Sequence, residues 1–356
     1  MNKEILDLYT DYLISSTSKV TATGLSELLD NEISHDKVTR FLSEEDFTSK
    51  ELWKLVKPLL RKIESEEGCI IVDDSVEEKA YTDENDLICW NWDHCFNRAI
   101  KGVNQMTAIY YNKDISIPVV LELIKKTKWV KNKKTGKDKR ISELSKQEIY
   151  KNMLRVCVSN QIKFKYVLND SWFSSSDNMK FVKKDLKKDF IMPIKDNRQV
   201  ALSLDDKRKS NYQRVDSIEI EQGMTIYIEG LDFPLRLCKK VFKRKDGSEV
   251  SMYLVSSDLT LDDETIGIIY EKRWKIEEFH ESMKSNCSYT KSPTHTVRTQ
   301  LNHFFCSVYS FFKLECMKIK TKINHFALKR KIYMKALKIA FSELQDIKAF
   351  SEFSVA

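Results

Sequence analysis

Short β-branched apolar runs alternate with helical patterns between residues 69 and 194, and this alternation constrains the fold more than any other feature. Such runs predict buried strands in CIIVDD, QMTAIYYNKDISIPVVLELI (two strands around a turn), KFKYVLND and DFIMPI. Helical periodicity occupies SELSKQEIYKNMLRVCVSN and residues 175–186, on either side of the KFKYVLND run. Strands and helices in alternation predict an α/β layer architecture.

The first 67 residues place apolar side chains three or four positions apart and are expected to be helical. Within them, TGLSELLDNEISHDKVTRFL predicts two short helices, with a polar break at residues 30–31 and Ser34 as the N-cap of the second helix. This pattern fits a helix-turn-helix that turns Arg40 outward as a candidate DNA contact. An ordinary helical hairpin fits it equally well.

The second half of the chain changes pattern twice. Residues 196–257 alternate apolar and polar side chains, with turn signals at residues 222–223 and 246–247, and predict an antiparallel β insertion. Helical periodicity then returns in one helix from Ile266 to Lys284. It continues from about residue 296 to 348, with a break expected near Lys320.

Composition excludes several classes of protein. Hydrophobic residues make up 42% of the chain and aromatic residues 11%, which is enough for a packed core. Because we find neither a run of about 18 apolar residues nor a signal-peptide pattern, we expect a cytoplasmic protein with no membrane partner. Eight cysteines without a C-x-x-C pair argue against a zinc site or a disulfide framework.

Basic residues are unevenly distributed around a net charge of +7. KKTKWVKNKKTGKDKR (residues 125–140) contains many of them, and Lys131, Lys133 and Lys134 are its candidate DNA contacts. Charge alone is equally consistent with a solvated loop, so this segment indicates a nucleic-acid partner only together with other evidence.

Two acidic residues end predicted buried strands. Asp74 and Asp170 each stand where the chain leaves the sheet, and open sheets bind ligands at this edge. Aspartate is also common in ordinary strand-to-loop turns, so neither residue indicates a site by itself. Asp73 precedes Asp74, and only one of the two can face a common site because adjacent strand residues point to opposite faces.

A polar stripe runs along the helix predicted for residues 266–284. Tyr270, Arg273, Glu277 and Lys284 are spaced so that they share one helical face. Such a stripe is usually a solvated face, but the other faces of this helix are apolar, which favours a buried polar seam. A buried polar seam needs partners, and a phosphodiester backbone with a divalent metal ion would be suitable.

Together these motifs resemble those of the DDE insertion-sequence transposases of the IS-four superfamily. That family carries Y-x2-R-x3-E-x6-K on the helix of its catalytic Glu, and YEKRWKIEEFHESMK matches every position. IIVDDSV and VLNDSWFSS resemble the two Asp strands of the family, and HCFNRAIKGVNQMTAIYY resembles the strand between them. The resemblance covers about residues 69–290, and its pattern of an acid followed by Asp and Ser or Thr favours Asp74 over Asp73.

The resemblance implies an α/β fold with an RNase H-like catalytic core and an antiparallel β insertion, flanked by N-terminal and C-terminal helical regions. The expected divisions are a helical DNA-binding region (1–67), the first part of the core (68–195), the β insertion (196–257), the core helix with Glu277 (258–290) and a C-terminal helical region (291–356).

The function implied is that of a DDE transposase, which cleaves DNA at transposon ends and transfers the strands in cut-and-paste transposition. Asp74, Asp170 and Glu277 would be the catalytic carboxylates and the ligands of two Mg²⁺ ions, which Mn²⁺ can replace. The same resemblance implies that Tyr270, Arg273 and Lys284 contact DNA phosphates. The implied partners are the double-stranded DNA of terminal inverted repeats and of the target, and a second copy of the chain in a synaptic homodimer.

Two alternatives stay open: an RNase H-like nuclease without strand transfer, and a DNA-binding regulator that descends from a transposase but no longer cleaves. The intact acids argue against the regulator, and the complete helical stripe argues against the simpler nuclease. Family members that cut through a DNA hairpin stack a flipped base on an aromatic residue, often Trp, of the β insertion. Because no Trp lies between Trp172 and Trp274, the sequence does not predict whether a hairpin forms.

Overall fold

The computed structural model describes residues 2–93, 97–131, 136–243 and 247–350, and these form a mixture of helices and strands. The α-helices are α1 (Lys3–Ser15), α2 (Ala22–Leu28), α3 (His35–Glu44), α4 (Ser49–Ile63), α5 (Lys146–Ser159), α6 (Ser176–Lys180), α7 (Leu204–Arg208), α8 (Asp263–Glu271), α9 (Trp274–Ser285), α10 (Val297–Thr321) and α11 (His325–Phe350). The β-strands are β1 (Cys69–Glu78), β2 (Ile88–Asp93), β3 (Arg98–Asn112), β4 (Ile115–Leu123), β5 (Lys128–Lys131), β6 (Asp138–Ile141), β7 (Tyr166–Leu168), β8 (Asp189–Ile194), β9 (Gln199–Ala201), β10 (Gln213–Arg214), β11 (Thr225–Ile228), β12 (Leu235–Lys243) and β13 (Glu249–Ser256). The predicted α/β class is therefore confirmed.

The chain divides into two compact units, one of residues 1–47 with 279–356 and the other of residues 48–278. The second unit is built around an eleven-stranded mixed sheet in the order β10-β9-β11-β12-β13-β8-β7-β1-β3-β2, with β4 also paired to β3. At its centre β1 is antiparallel to β3 and parallel to β7, which is itself parallel to β8. Residues 69–72 of β1 are fully buried, as their apolar run predicts.

The hairpin between β3 and β4 turns at Lys113 and Asp114, as the sequence predicts. Both residues have positive φ, 47° and 61°, which is the backbone of a type I′ turn and matches the twist of the two strands. This tight turn fixes the register of β3, and β3 in turn pairs with β1 along ten residues. The position of the aspartates of β1 therefore depends on the hairpin of β3 and β4, whose turn is determined by local sequence.

Strands β9 to β13 are joined by antiparallel pairings, as expected for residues 196–257. Gly223 has φ of 84° at the turn that precedes β11, and so the turn predicted at residues 222–223 is present. Because β13 pairs antiparallel with β8, these strands extend the central sheet at one edge. Whether they correspond to the insertion of the transposase family stays a prediction.

The other unit is helical, and α10 is its central element because α1, α3 and α11 all pack against it. Asn302 on α10 is fully buried, and its amide donates to the carbonyl oxygens of Leu42 and Glu45 at the end of α3. Phe305, one turn later, stacks on Phe47 with ring centroids 4.4 Å apart. These contacts satisfy the last carbonyl groups of α3 inside an apolar core.

The two short helices predicted near the N-terminus are α2 and α3. Asp30 and Asn31 adopt positive φ between them, and the Ser34 side chain accepts a hydrogen bond from the Lys37 backbone N–H as the N-cap of α3. At the C-terminal end, the break expected near Lys320 is Lys322, whose left-handed backbone (φ 59°) ends α10. Across the described residues, no helix is long and apolar enough to cross a membrane.

Two parts of the structure differ from the sequence prediction. The single helix predicted for residues 266–284 is two helices, α8 and α9, because the backbone changes from i→i−4 to i→i−3 hydrogen bonds between them. Arg273 N donates to Tyr270 O at 2.9 Å, and Ile276 N donates to Arg273 O at 3.1 Å. The basic segment 125–140 contains the paired strands β5 and β6, which lysine-rich sequence does not predict.

Candidate active site

Asp73 and Asp170 are level with each other on two neighbouring parallel strands, β1 and β7. Asp170 follows the end of β7, but β1 continues to Glu78, so the prediction that β1 ends at its aspartates is wrong. β1 and β7 are paired in a register that matches Ile71 with Leu168. Extending this register by two residues brings Asp73 opposite Asp170, and residues paired across neighbouring strands point to the same face of a sheet. The sheet therefore presents two carboxylates side by side on one face, at the place where β7 ends.

Glu277 on α9 supplies a third carboxylate at the same place. One carboxylate oxygen of Glu277 and one of Asp73 lie within 4.8 Å of each other. The guanidinium of Arg273 bridges them, with Nη1 3.7 Å from Asp73 Oδ2 and 3.2 Å from Glu277 Oε1. The expectation that Asp73 points away from the acidic cluster is therefore wrong.

The electrostatics of this cluster indicate an excess of negative charge. The pKa of Asp73 is raised well above its usual value by burial first, and then by repulsion from the carboxylates of Asp170 and Glu277. Burial also raises the pKa of Asp170, and the charge of Asp74 adds to that effect. The single positive charge of the Arg273 guanidinium does not neutralise the negative charges of three neighbouring carboxylates. Such an excess of negative charge favours binding of a multivalent cation.

Asp74 has different surroundings from Asp73. Its Oδ2 lies 2.5 Å from Nζ of Lys146, the first residue of α5. Alternation along β1 turns the two aspartates to opposite faces, and the pairing with β7 assigns the Asp170 face to Asp73. Asp74 is still near enough to raise the pKa of Asp170, so it belongs to the electrostatic surroundings of the cluster.

The turn that holds Asp170 is fixed by hydrogen bonds. Asp170 Oδ1 accepts from the backbone N–H groups of Trp172 and Phe173, at 3.0 and 3.4 Å. Asn169 is fully buried, accepts a hydrogen bond from Tyr150 Oη at 2.8 Å and donates to the backbone oxygen of Asp170 at 2.7 Å. Because these groups are buried and satisfied, the carboxylate of Asp170 has little freedom to move.

The other residues of the predicted stripe have distinct environments. Tyr270 is 8% exposed and its hydroxyl donates to the backbone oxygen of Asn169 at 3.3 Å, so it connects α8 to the Asp170 turn. Burial raises the pKa of Tyr270, which keeps its hydroxyl protonated. Lys284 is partly exposed, about two turns after Glu277. His280 follows Glu277 by one turn of α9 and is buried.

The more distant candidates lie on exposed elements. Arg40 is exposed on α3, which agrees with its predicted outward orientation. Lys131 is exposed at the end of β5, whereas Lys133 and Lys134 lie outside the described residues. The sequence did not identify two residues of the site. They are Asp73, which is a member of the cluster, and Lys146, which is the partner of Asp74. The register of β1 against β7 would have identified Asp73, but that register is set by tertiary structure.

Comparison with known families agrees with this geometry. Residues 2–214 match the family described as DDE superfamily endonuclease, and residues 144–308 match the family described as Transposase DDE domain. No curated protein matches the chain. Both descriptions support a nuclease or transposase, and DDE domains imply an RNase H-like core.

Proposed function

The chain belongs to the DDE superfamily of endonucleases, and we propose that it is a transposase that cleaves and joins DNA strands at transposon ends. One observation carries the proposal: Asp73, Asp170 and Glu277 come from three separate parts of the chain and converge around the single guanidinium of Arg273. Oxygen ligands of this kind suit Mg²⁺, which binds carboxylates together with substrate phosphates.

We assign metal binding to Asp73, Asp170 and Glu277, and so replace Asp74 with Asp73 in the set expected from the sequence. The mutual repulsion of the three acids and the short distance between Asp73 and Glu277 support this assignment. Two Mg²⁺ ions bound there would activate the attacking water or 3′-hydroxyl and stabilise the leaving oxygen. Mn²⁺ prefers similar oxygen ligands and is expected to replace Mg²⁺.

The residues of the chain itself prepare this site. Arg273 Nη1 holds the carboxylates of Asp73 and Glu277 together. We assign its other N–H groups to a DNA phosphate, because a guanidinium can bind several oxygens at once. Tyr270 fixes the backbone at Asn169, and so we assign it to positioning the Asp170 turn. Lys284, farther along α9, would contact the DNA backbone. The match of YEKRWKIEEFHESMK to Y-x2-R-x3-E-x6-K supports the proposal that the chain belongs to the IS-four superfamily.

Double-stranded DNA is the proposed substrate, in the form of terminal inverted repeats and of a target. The helix pair α2 and α3 carries Arg40 on its exposed side and is suited to enter a major groove. The exposed lysines of β5 and β6, including Lys131, would add contacts to phosphates that do not depend on base sequence. The region 1–67 would thus read the transposon end, as the five-part division of the chain predicts.

A second copy of the chain is the proposed protein partner, and α11 is the proposed contact. All residues from Tyr333 to Ala349 are exposed, although the helix carries many large apolar side chains. Leu337 and Leu344 are seven residues apart, and so are Tyr333, Ala340 and Ile347, which gives the a and d positions of a heptad repeat. In a parallel pair Glu343 and Lys348 would occupy the g and e positions, where opposite charges attract.

The decisive test compares Glu277→Gln with Arg273→Ala on a duplex that carries the terminal inverted repeat, which is to be identified first in the DNA that flanks the gene. Glu277→Gln should abolish cleavage in Mg²⁺ and leave DNA binding nearly unchanged, because it removes one ligand charge and reduces repulsion of phosphate. Arg273→Ala and Lys284→Ala should weaken the complex first, since each removes a charge-assisted phosphate contact. Gel shift and cleavage are measured at the same salt concentration.

Glu278→Gln is the matched control, because Glu278 is adjacent, exposed and paired with Lys275 outside the cluster. This variant should cut like the unmodified protein. Cleavage by Glu277→Gln at the unmodified rate would show that the acidic cluster is not the active site. Cleavage that persists in a metal chelator would exclude the metal-dependent reaction.

A further inference from the structure

The strand β2 exposes two neighbouring indole rings. Trp90 and Trp92 are 57% and 53% exposed and lie two residues apart, so they point to the same face of the strand. Tryptophan is strongly buried on average in folded proteins. Two exposed indoles on one strand face therefore indicate a surface that binds a flat, partly apolar ligand.

The strand that carries these rings is held rigidly from its other face. Asn91, between the two tryptophans, is 8% exposed and its amide donates to the carbonyl oxygen of Gly102 at 3.0 Å. Nζ of Lys126 donates to Trp90 O at 2.5 Å and to Asn91 Oδ1 at 2.8 Å. Because the backbone is fixed in this way, the positions from which both indoles project are set before any ligand binds.

The indoles lie on the face of the sheet that carries Asp73. Trp90 is paired with Lys101 of β3, and Asp73 is paired with Thr107 of the same strand. Lys101 and Thr107 are six positions apart, an even number, so they and their partners share one face. At about 3.3 Å per residue, Lys101 and Thr107 are about 20 Å apart along β3, and so are Trp90 and Asp73 in the same direction. This distance corresponds to roughly six base pairs of duplex DNA.

We propose that Trp90 and Trp92 form a stacking surface for unpaired bases of the DNA strand that the active site cuts. The inference rests on the proposed function, since it takes DNA as the substrate. Every base has an aromatic face, so stacking on indole holds a single strand without a strong preference for sequence. Ala99, paired with Trp92, leaves that ring uncovered, and Lys101 beside Trp90 supplies a positive charge for the backbone.

This surface differs from the aromatic residue that hairpin-forming relatives are expected to use. That residue would lie in the segment 196–257, whereas Trp90 and Trp92 lie on the strand that precedes β3. Their distance from Asp73 also places them beyond the nucleotide at the cut. The geometry points to strand separation in the DNA flanking the cleavage site, at about six base pairs from it.

The experiment measures binding of DNA in the absence of divalent metal ions, so that no strand is cut. The probes are a single-stranded oligonucleotide and a terminal-repeat duplex with 2-aminopurine placed at successive positions from the cleavage site. Trp90→Ala with Trp92→Ala should lower affinity for the single strand by roughly tenfold or more. It should also remove any 2-aminopurine signal near the sixth base pair, while affinity for the intact duplex changes little.

Two controls accompany the double alanine variant. Trp90→Phe with Trp92→Phe keeps an aromatic face at both positions and should restore most of the single-strand affinity. Tyr81→Ala removes a fully exposed aromatic side chain from the loop between β1 and β2 and should have no effect. Thermal unfolding of all variants should be unchanged, because the substituted side chains are exposed.

Each outcome decides the inference. Equal affinity of the alanine variant and the unmodified protein for the single strand would overturn it, and so would an equal loss in Tyr81→Ala. If the alanine variant keeps its affinity but loses self-association, the surface is a protein interface instead. Failure of the unmodified protein to bind any DNA would contradict the proposed function itself, and this result is distinguishable from the others.

Discussion

Asp73 and Asp74 are neighbours in sequence, yet their side chains have different surroundings in the structure, and we therefore expect them to have different roles. Asp73→Asn should abolish metal-dependent cleavage, because Asp73 faces Asp170 and Glu277. Asp74→Asn should lower cleavage only by roughly tenfold, the size of effect typical of a group that supports a ligand without binding the metal. The measurement is single-turnover cleavage of a terminal-repeat duplex in Mg²⁺, with protein in excess.

Lys146→Met serves as the companion variant for this comparison. If Asp74 acts through its ion pair with Lys146, then Lys146→Met should reduce cleavage about as much as Asp74→Asn does. Inactive Asp74→Asn together with active Asp73→Asn would return the metal site to Asp74, as the sequence pattern suggested.

His325 provides a test of stability against pH at a site remote in sequence from the acids. It is 5% exposed, and burial, followed by repulsion from Lys318, lowers its pKa to about 4. A lowered pKa in the folded state means that protonation favours unfolding. The contribution of His325 to stability should therefore be constant above about pH 6.5 and fall between pH 6.5 and 4, by about 1.4 kcal/mol per pH unit at most.

The variant His325→Leu should remove that part of the pH dependence, as measured by urea unfolding at a series of pH values. Glu315 lies 3.6 Å from the His325 ring, and its negative charge would favour the protonated imidazole. The size of the fall in stability therefore also tests whether burial or Glu315 has the larger influence on His325. His35→Leu, at an exposed position on α3, is the control. If the free energy of unfolding fell equally with pH in His325→Leu and in the unmodified protein, His325 would not be the source of the pH dependence.

At the residue scale, the sequence predicted the cluster but not all of its members. Asp170 and Glu277 were identifiable because one ends an apolar run and the other lies on a polar helical stripe. The choice between Asp73 and Asp74 depends on which face of β1 meets β7, and pairing between strands almost 100 residues apart leaves no mark on local periodicity. The sequence pattern favoured Asp74, whereas the register places Asp73 on the face of Asp170. Which of the two binds the metal ions stays a prediction.

The paired strands β5 and β6 form an element whose proposed role is to hold DNA phosphates. Replacing Lys128, Lys131 and Lys139 with Gln should weaken binding to any duplex, whether or not it contains the terminal repeat. The slope of log affinity against log salt concentration should become less steep by about 0.9 for each phosphate that the variant no longer neutralises. Binding to specific and random duplexes is titrated at several salt concentrations.

Lysine-to-arginine replacements at the same three positions keep the charge and should keep the slope. Unchanged slopes in the glutamine variant would assign the element another role. Such a role is available, because Arg140 of β6 stacks on Trp129 of β5 with its guanidinium 4.5 Å from the ring centroid, and the same side chain pairs with Asp86.

Elements with strong local signals were predicted well, and elements defined by pairing were not. Ser34 and Lys322 mark helix ends through a side-chain cap and a left-handed residue, which are local features. The strands β5 and β6 are rich in charged residues, so they are recognisable only by their pairing with each other. The break between α8 and α9 leaves the apolar spacing almost intact, and periodicity alone does not reveal it.

At the scale of the whole molecule, self-association is expected to depend on α11. Leu337→Glu with Leu344→Glu places four carboxylates in the core of a parallel helix pair and should abolish the dimer. Sedimentation velocity, with and without terminal-repeat DNA, measures the change. Lys335→Glu, at an exposed position outside the a and d pattern, is the control and should sediment like the unmodified protein.

A monomeric protein both with and without DNA would contradict the proposed pairing, and so would an unaffected dimer in the double glutamate variant.

The expected division of the chain into five consecutive parts stays a prediction. The two compact units are not consecutive in sequence, because residues 1–47 and residues 279–356 form one unit through packing of α1 and α3 on α10. Contacts across that sequence distance are not predictable from composition or periodicity.

The burial of Asn302 and Phe305 against the end of α3 also sets the order of events during synthesis on the ribosome. The helices α1 to α3 emerge first, but the side chains that complete their core are translated about 250 residues later. At about 5–20 residues per second, the N-terminal helices wait for at least ten seconds or so without their partners. A nascent chain therefore completes the core around α1 to α3 only after residues 48–278 have left the ribosome.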